Sequence, residues 1–256
     1  MQYKEIVKKA KLRLLRLHYE KKIGHIGGNL SALDAMLFLY HRVLKENDIF
    51  LLSKGHSAGA LYITLWSAGK LSDTDLEGFH EDGSILAGHP VGGWMPEIPF
   101  STGSLGHGLS LAAGIAMGKK MKNEQGRVFC LLSDGEWEEG STWEALIFIA
   151  HNRLDNLTFL IDANGLQGFG NTTDIASLEP LAKKIRPFGI DVLEISGHNP
   201  SEMDWAFKSA SEAPKLIILR TVKGHGVSFM EGRMEWHYLP MSEEQYIQAV
   251  NEVSQA

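Results

Sequence analysis

Cysteine is almost absent. Cys130 is the only one in 256 residues, so no intrachain disulfide can form and a reducing, cytoplasmic location is expected. It sits inside the apolar run Val128–Leu132, where a thiol behaves as a small buried hydrophobe rather than a nucleophile. Long apolar runs are also missing, and no stretch approaches the ~20 residues of a membrane-spanning helix. An excess of basic charge is lacking too. Twenty-five Lys and Arg stand against 31 Asp and Glu, a formal net charge of −6, which leaves a nucleic-acid partner without an electrostatic footprint. There is no internal repeat, low-complexity tract or Pro/Ser-rich linker, so residues 1–256 read as a single domain. Residues 4–22 are basic, with Ile6, Ala10, Leu14 and Leu17 at helical spacing. Glu5 and Glu20 interrupt the positive run and no cleavable apolar core follows, so an ordinary amphipathic helix is expected rather than a transit peptide.

What is present is an alternation of short apolar runs and longer helical patterns. Strands are expected at Ile49–Leu52, Val128–Leu132, Leu157–Ile161, Asp191–Ile195 and Leu216–Arg220. Helices are expected at Leu30–Val43, Ala58–Ala68, Gly106–Met121, Ser141–His151, Leu178–Arg186, Ser201–Ser211 and Glu243–Val250, the last opened by a capping-box pattern at Ser242. The alternation predicts an α/β fold, a parallel sheet flanked by helices. Glycines gather after strands and at helix starts, along the sheet edge where such folds bind ligands.

One stretch carries most chemical information. The run Val128–Ser133 leads directly into Asp134-Gly135, and the next strand ends in Asp162-Ala163-Asn164-Gly165-Leu166. Asp134 and Asn164 are 164 − 134 = 30 residues apart, room for one helical crossover. If the two strands are neighbours, both side chains face the same crevice. Mg²⁺ favours oxygen ligands, commonly a carboxylate or two with phosphate oxygens and water. Asp134, the Asn164 amide oxygen and a nearby backbone carbonyl would supply the protein side. Either dipeptide alone would ordinarily be a tight turn; the pair, each directly after a strand, points to a site.

Asp-Gly followed one crossover later by Asn resembles the thiamine-diphosphate signature, with Ser133 where the signature usually has Gly. Four further segments narrow the class: Gly24-His25-Ile26-Gly27-Gly28-Asn29-Leu30-Ser31, Ser53-Lys54-Gly55-His56, Gly88-His89-Pro90 and Ser101-Thr102-Gly103-Ser104-Leu105-Gly106-His107-Gly108. In this order, with Glu139-Gly140, Glu144, Lys223–Glu231 and Trp236-His237, they resemble the N-terminal domain of transketolases from about residue 20 onward. The resemblance implies a thiamine-diphosphate-binding fold, and thiamine diphosphate with Mg²⁺ (or Ca²⁺ or Mn²⁺) as cofactors. It implies transfer of a two-carbon ketol unit from a ketose phosphate to an aldose phosphate.

Residue by residue, it implies that Asp134, Asn164 and the Leu166 carbonyl bind the metal. Gly103, Ser104, Leu105, Gly135 and Glu136 join these three, His56 and His237 around the cofactor. His25 and His89 match positions that contact substrate oxygens; His56 and His237 match positions at the diphosphate or reacting centre. Histidine suits such proton transfers near neutral pH. Glu139 and Glu144 match carboxylates that couple paired active sites across a subunit interface. Gly103–Gly106 is expected to open a helix whose N–H groups face the diphosphate. The glycines of that helix, Gly106, Gly108, Gly114 and Gly118, suggest close approach to another backbone, internal or in a second chain.

The sequence departs from the family pattern at Gly168, where an aliphatic residue is usual, and Phe169, where Asp is usual. Phe169 is expected to fill the space that Gly168 leaves. His225 replaces a Lys and Tyr238 a Gly. The length also leaves out the part that binds the aminopyrimidine ring, so the chain is expected to be a complete split subunit. It would work with a C-terminal, pyrimidine-binding partner chain, as an α₂β₂ assembly. Three alternatives remain: one chain of a 2-oxo-acid dehydrogenase or of a deoxyxylulose-phosphate-synthase-like enzyme, a silent cofactor-binding scaffold, and a nucleotide-binding dehydrogenase. A pentose-phosphate role is the default and a specialised biosynthetic transketolation its rival.

Overall fold

The computed structural model describes residues 2–255. The basic amphipathic segment forms α1 (Tyr3–Lys21), and α2 (Ile26–Phe38) follows, ending in a π-turn at Leu39–Val43. After β1 (Ile49–Leu52) come α3 (Ala58–Ser67), α4 (Asp73–Glu77) and α5 (Gly108–Met121). Then β2 (Val128–Ser133), α6 (Gly140–His151) and β3 (Leu157–Ala163) make a right-sized crossover unit. A small hairpin, β4 (Leu166–Gln167) and β5 (Gly170–Asn171), precedes α7 (Thr172–Ala176) and α8 (Leu181–Ile185). The chain closes with β6 (Asp191–Ser196), α9 (Pro200–Lys208), β7 (Lys215–Arg220) and α10 (Glu243–Gln255).

The five long strands pair in the order β1-β2-β3-β7-β6, every pair parallel. A parallel sheet covered on both faces needs strands that are apolar throughout, and β2 is buried at all six positions. Its side chains alternate between two cores. Phe129 and Leu131 join α1, α2, α3 and α10 on one face; Val128, Cys130 and Leu132 join α5, α6 and α8 on the other. Cys130 is fully buried, and burial pushes its thiol well up, as expected of a packed rather than reactive residue.

Three helices start two or more residues away from the sequence expectation. α2 begins at Ile26, not Leu30, so Gly27 and Gly28 lie inside it. A Cβ on Gly27 would sit 3.0 Å from the Lys223 side chain and 3.2 Å from Trp236, so close packing there offsets glycine's poor helix propensity. α5 begins at Gly108, not Gly106, because Gly106 is left-handed at φ 77°. α8 is confined to Leu181–Ile185, because Pro180 supplies its N-cap in an extended conformation and ends the pattern expected from Leu178.

Candidate active site

The register sets the geometry. Ser133 pairs with Asp162 across β2 and β3, so Asp134 and Asn164 leave adjacent strands at the same sheet edge. Asp134 accepts the Gly135 N–H at 2.9 Å on one oxygen and the Gly165 N–H at 2.6 Å on the other. Burial, with Asp162 adding to it, raises its carboxyl to about 7. Asn164 has a defined amide orientation: its nitrogen faces the Asp162 carboxylate at 3.3 Å and Ser31 Oγ at 3.4 Å, and its oxygen accepts the Leu166 N–H at 3.1 Å.

Both residues line a cavity of about 500 Å³, a size usual for small-molecule sites. Its walls include His25, His56, His89 and His237, together with Gly103, Leu105, Gly135, Glu139, Leu166 and Lys223. The four histidines come from distant segments. Ring centroids stand 5.8 Å apart for His25 and His56, 6.0 Å for His25 and His89, 5.0 Å for His25 and His237, and 5.6 Å for His56 and His237.

Two lysines lie at the base of the cavity, among the carboxylates of Asp134, Glu138, Glu139 and Asp162. Lys54, wholly buried below the floor, pairs with Asp162, which also accepts Ser31 Oγ–H at 2.6 Å and the Thr221 hydroxyl. Burial pushes Asp162 upward, but Lys54 and these hydrogen bonds bring it below the usual carboxylate range. Lys223 reaches the Leu166 carbonyl at 3.4 Å and His237 Nδ1 at 3.0 Å. Burial and then Lys54 lower its ammonium to about 8. The histidines are held neutral: burial, then neighbouring cationic groups, lowers His25 to about 4 and His237 to about 3. His56 and His89 are lowered in the same way. An anionic ligand would oppose these shifts.

The chain belongs to the transketolase family. The family model of the transketolase thiamine diphosphate binding domain matches residues 4–253. The chain is 40% identical to one of the subunits of the apulose-4-phosphate transketolase of Phocaeicola vulgatus, covering 96% of this chain and 92% of that one. It is 37% identical to 6-deoxy-6-sulfo-D-fructose transketolase subunit SqwG of a Clostridium species, over 90% and 88% of the two chains. Among solved structures, transketolase from Leishmania mexicana superposes with a TM-score of 0.89 at 25% identity, covering 99% of this chain but 41% of that one. The chain is thus a thiamine-diphosphate-binding transketolase domain, similar in span to named split subunits and less than half the length of that solved transketolase.

Not every expected site residue faces the cavity. Ser104 is exposed beside it. Glu136 is fully buried, its carboxylate accepting the N–H groups of Ser133 at 2.8 Å and Gly106 at 3.0 Å and the Ser53 hydroxyl. Glu136 therefore holds the Gly103–Gly106 loop rather than a ligand. Two of the N–H groups near the expected helix start are taken up within the chain, that of Gly106 by Glu136 and that of Gly108 by Ser53 Oγ at 3.2 Å. Glu144 lies on α6, in a separate shallow groove with Gly114 and Phe148.

The departures from the transketolase pattern resolve differently from expectation. Phe169 is 87% exposed and does not fill the space beside Gly168. Tyr238 does: its hydroxyl donates to the Gly168 carbonyl at 2.7 Å, and a Cβ at 168 would stand 3.0 Å from that hydroxyl. Gly168 and Tyr238 are in direct contact at the cavity rim. His225 lies away from the cavity, stacked on His198 with ring centroids 3.5 Å apart and near Asp34. This Asp34–His198–His225 group resembles a metal set, but hydrogen bonding accounts for it. The Val222 N–H donates to His198 Nε2 at 3.0 Å, so His198 carries its proton on Nδ1 and donates it to Asp34 at 2.8 Å. A metal on Nδ1 would force a proton onto Nε2, facing that N–H.

Sequence reasoning does not single out Lys54, Asp162 and Lys223. Lys54 and Lys223 lie in motifs marked by their histidines and glycines, and Asp162 reads as a strand residue. Only the convergence of the ends of β1, β3 and β7 makes them a charged floor.

Proposed function

We propose that this chain, assembled with a partner carrying a pyrimidine-binding domain, transfers a two-carbon ketol unit from an anionic ketose to an aldose, using thiamine diphosphate and Mg²⁺. The observation that carries it is the convergence of Asp134, Asn164 and Leu166 with the four histidines on one cavity. The donor set fits the metal: a buried carboxylate, an oriented amide oxygen and a backbone carbonyl are hard oxygen ligands without a competing thiolate. A diphosphate would complete the shell, with Lys223 and the Lys54 field beside it.

When bound, the thiamine supplies the carbanion that makes cleavage beside a carbonyl feasible. The chain supplies binding and proton transfers. Asp134, Asn164 and the Leu166 carbonyl fix the metal, and Gly103, Leu105 and Gly135 leave room for the cofactor beside it. His25 and His89, held neutral, can take a proton from a substrate hydroxyl and return one to a forming hydroxyl. His237, between Lys223 and His25, and His56 beside it hold the reacting centre. Glu139, at the cavity edge, and Glu144, on α6, would meet the partner interface and couple two sites in an α₂β₂ assembly. The substrates in the names of the two relatives, a ketose phosphate and a sulfo-ketose, support a ketose with a terminal anion.

The test is direct. Turnover of a panel of ketose phosphates and sulfonates, with 2-oxo acids as controls, is measured for the chain alone and with its partner. Ketol transfer by the pair only is expected; robust transfer by the chain alone, or preference for 2-oxo acids, would overturn the reading.

A further inference from the structure

A second cleft of about 220 Å³ adjoins the diphosphate cavity and shares His25 and His56 with it. It is lined by His18, Asn29, His56, His80 and Tyr238, with Gly24, Gly59 and Gly88 in its walls. The opening toward solvent is marked by His80 and Tyr238, both exposed. At the inner end sits His18, 1% exposed; the Ile23 and Gly24 backbone lies close enough to raise its pKa against burial, but neither ring nitrogen makes a hydrogen bond of good geometry among the described residues. A buried imidazole with two orphan nitrogens is costly unless water reaches it. The cleft is polar and roomy enough, since a water occupies about 30 Å³ in the liquid.

The backbone around this cleft is specialised. His25 and His80 both adopt left-handed conformations, each at φ 64°, which cost an L-residue roughly 1–2 kcal/mol and collect at functional positions. The His25 N–H donates to the His237 carbonyl at 3.0 Å, and its own carbonyl accepts Asn29 Nδ2 at 2.8 Å, so the strained residue is pinned between the two clefts. Two glycines admit the other rings: a Cβ at 59 would stand 2.6 Å from His18 Nε2, and one at 88 would stand 2.4 Å from His80 Nε2.

We infer that His18 is a positioning residue that links His25 through water to His80 and solvent, giving protons a second route beside the substrate cavity. The inference rests on the ketol-transfer reading and deepens it. Donor cleavage releases a hydroxyl proton to His25, and formation of the new hydroxyl on the acceptor takes one back. With cofactor and sugar filling the main cavity, the second cleft is the way by which solvent reaches His25. In the first half-reaction a proton leaves the His25 ring for water and is accepted by one His18 nitrogen, while the other nitrogen releases its own proton toward His80. In the second half-reaction the flow reverses, which resets the His18 tautomer. No other bond forms or breaks. Burial lowers His18 to about 4, so it passes protons without storing charge.

The test uses the assembled two-chain enzyme. His18→Phe keeps the ring volume and removes both nitrogens. It is expected to lower kcat about ten-fold and to raise the solvent deuterium isotope effect, with KM and thiamine diphosphate affinity unchanged. His18→Ala should regain activity when imidazole is added. Unchanged kcat and isotope effect in His18→Phe, or a loss matched by lost cofactor affinity without imidazole rescue, would overturn the relay. If His18→Phe does not fold, His80→Gln at the exposed mouth carries the test: a raised isotope effect is expected, and an unchanged one overturns it. Nitrogen-15 NMR of the His25 ring separates the two readings. A His25 tautomer shift in His18→Phe supports the link even if the unaltered complex transfers no ketol, and an absent shift counts against it.

Discussion

Asp162 and Lys54 show what a buried charge demands. Both side chains are essentially inaccessible, at 1% and 0% exposure, and each satisfies the other. Removing one partner leaves an uncompensated charge in the interior. Asp162→Asn is therefore expected to cost about 3–5 kcal/mol in chemical denaturation, whereas replacing both residues by apolar ones of similar size should cost much less. His18 offers a second residue-scale prediction. Its folded-state pKa, about 4, lies below that of an unfolded histidine, near 6.5. Below about 6.5 the unfolded chain binds the extra proton, so stability from this residue is full above that pH and is lost as pH falls toward 4. The whole effect is on the order of 3 kcal/mol. Denaturation midpoints between pH 7 and 5 should fall less steeply in His18→Phe than in the unaltered chain; parallel curves would contradict the assignment.

At the scale of elements, α5 illustrates how one residue type takes opposite roles. A Cβ on Gly108 would stand 2.3 Å from Ser53 Oγ and 2.8 Å from Ser53 Cα, so the helix start is pressed against the end of β1. Gly108→Ala should destabilise by about 1–3 kcal/mol through overpacking. A Cβ on Gly114 would meet no atom of the described residues within 4 Å, and in the isolated chain Gly114→Ala should stabilise by about 0.5–1 kcal/mol from helix propensity. The neighbouring exposed apolar residues, Leu111, Ile147 and Phe148, suggest that a partner covers this face. If it does, Gly114→Leu should weaken assembly in sedimentation experiments while leaving the chain folded. The strand and helix order was legible because parallel strands must be apolar throughout and the helices between them show clear periodicity. Helix ends were not, since the start of α2 depends on packing against Lys223 and Trp236, and that of α5 on the left-handed turn at Gly106.

For the whole molecule, the cavity joins the ends of β1, β2, β3 and β7, and Asp134 is its pivot. Asp134→Asn should abolish metal-dependent stabilisation by thiamine diphosphate, read by calorimetry of the two-chain complex, without a large change in the fold of the chain; retained uptake would place the metal elsewhere. Among the described residues, no helix is long and apolar enough to cross a membrane, in line with the missing apolar runs.

The sequence by itself determined the succession of strands and helices and placed Asp134 and Asn164 directly after strands. These are local: an apolar run, a small residue after it and a polar side chain are visible without knowing what lies opposite. That those strands are neighbours, and that the four histidines marked by the family resemblance share one cavity, came from the structure. Tertiary structure alone decided that Glu136 turns inward to hold a loop, that Tyr238 rather than Phe169 fills the space beside Gly168, and that Lys54, Asp162 and Lys223 form the charged floor. Each of those depends on what faces a side chain across many tens of residues, and a side chain's role is set by the groups that desolvate it and bond to it, which the linear order does not record.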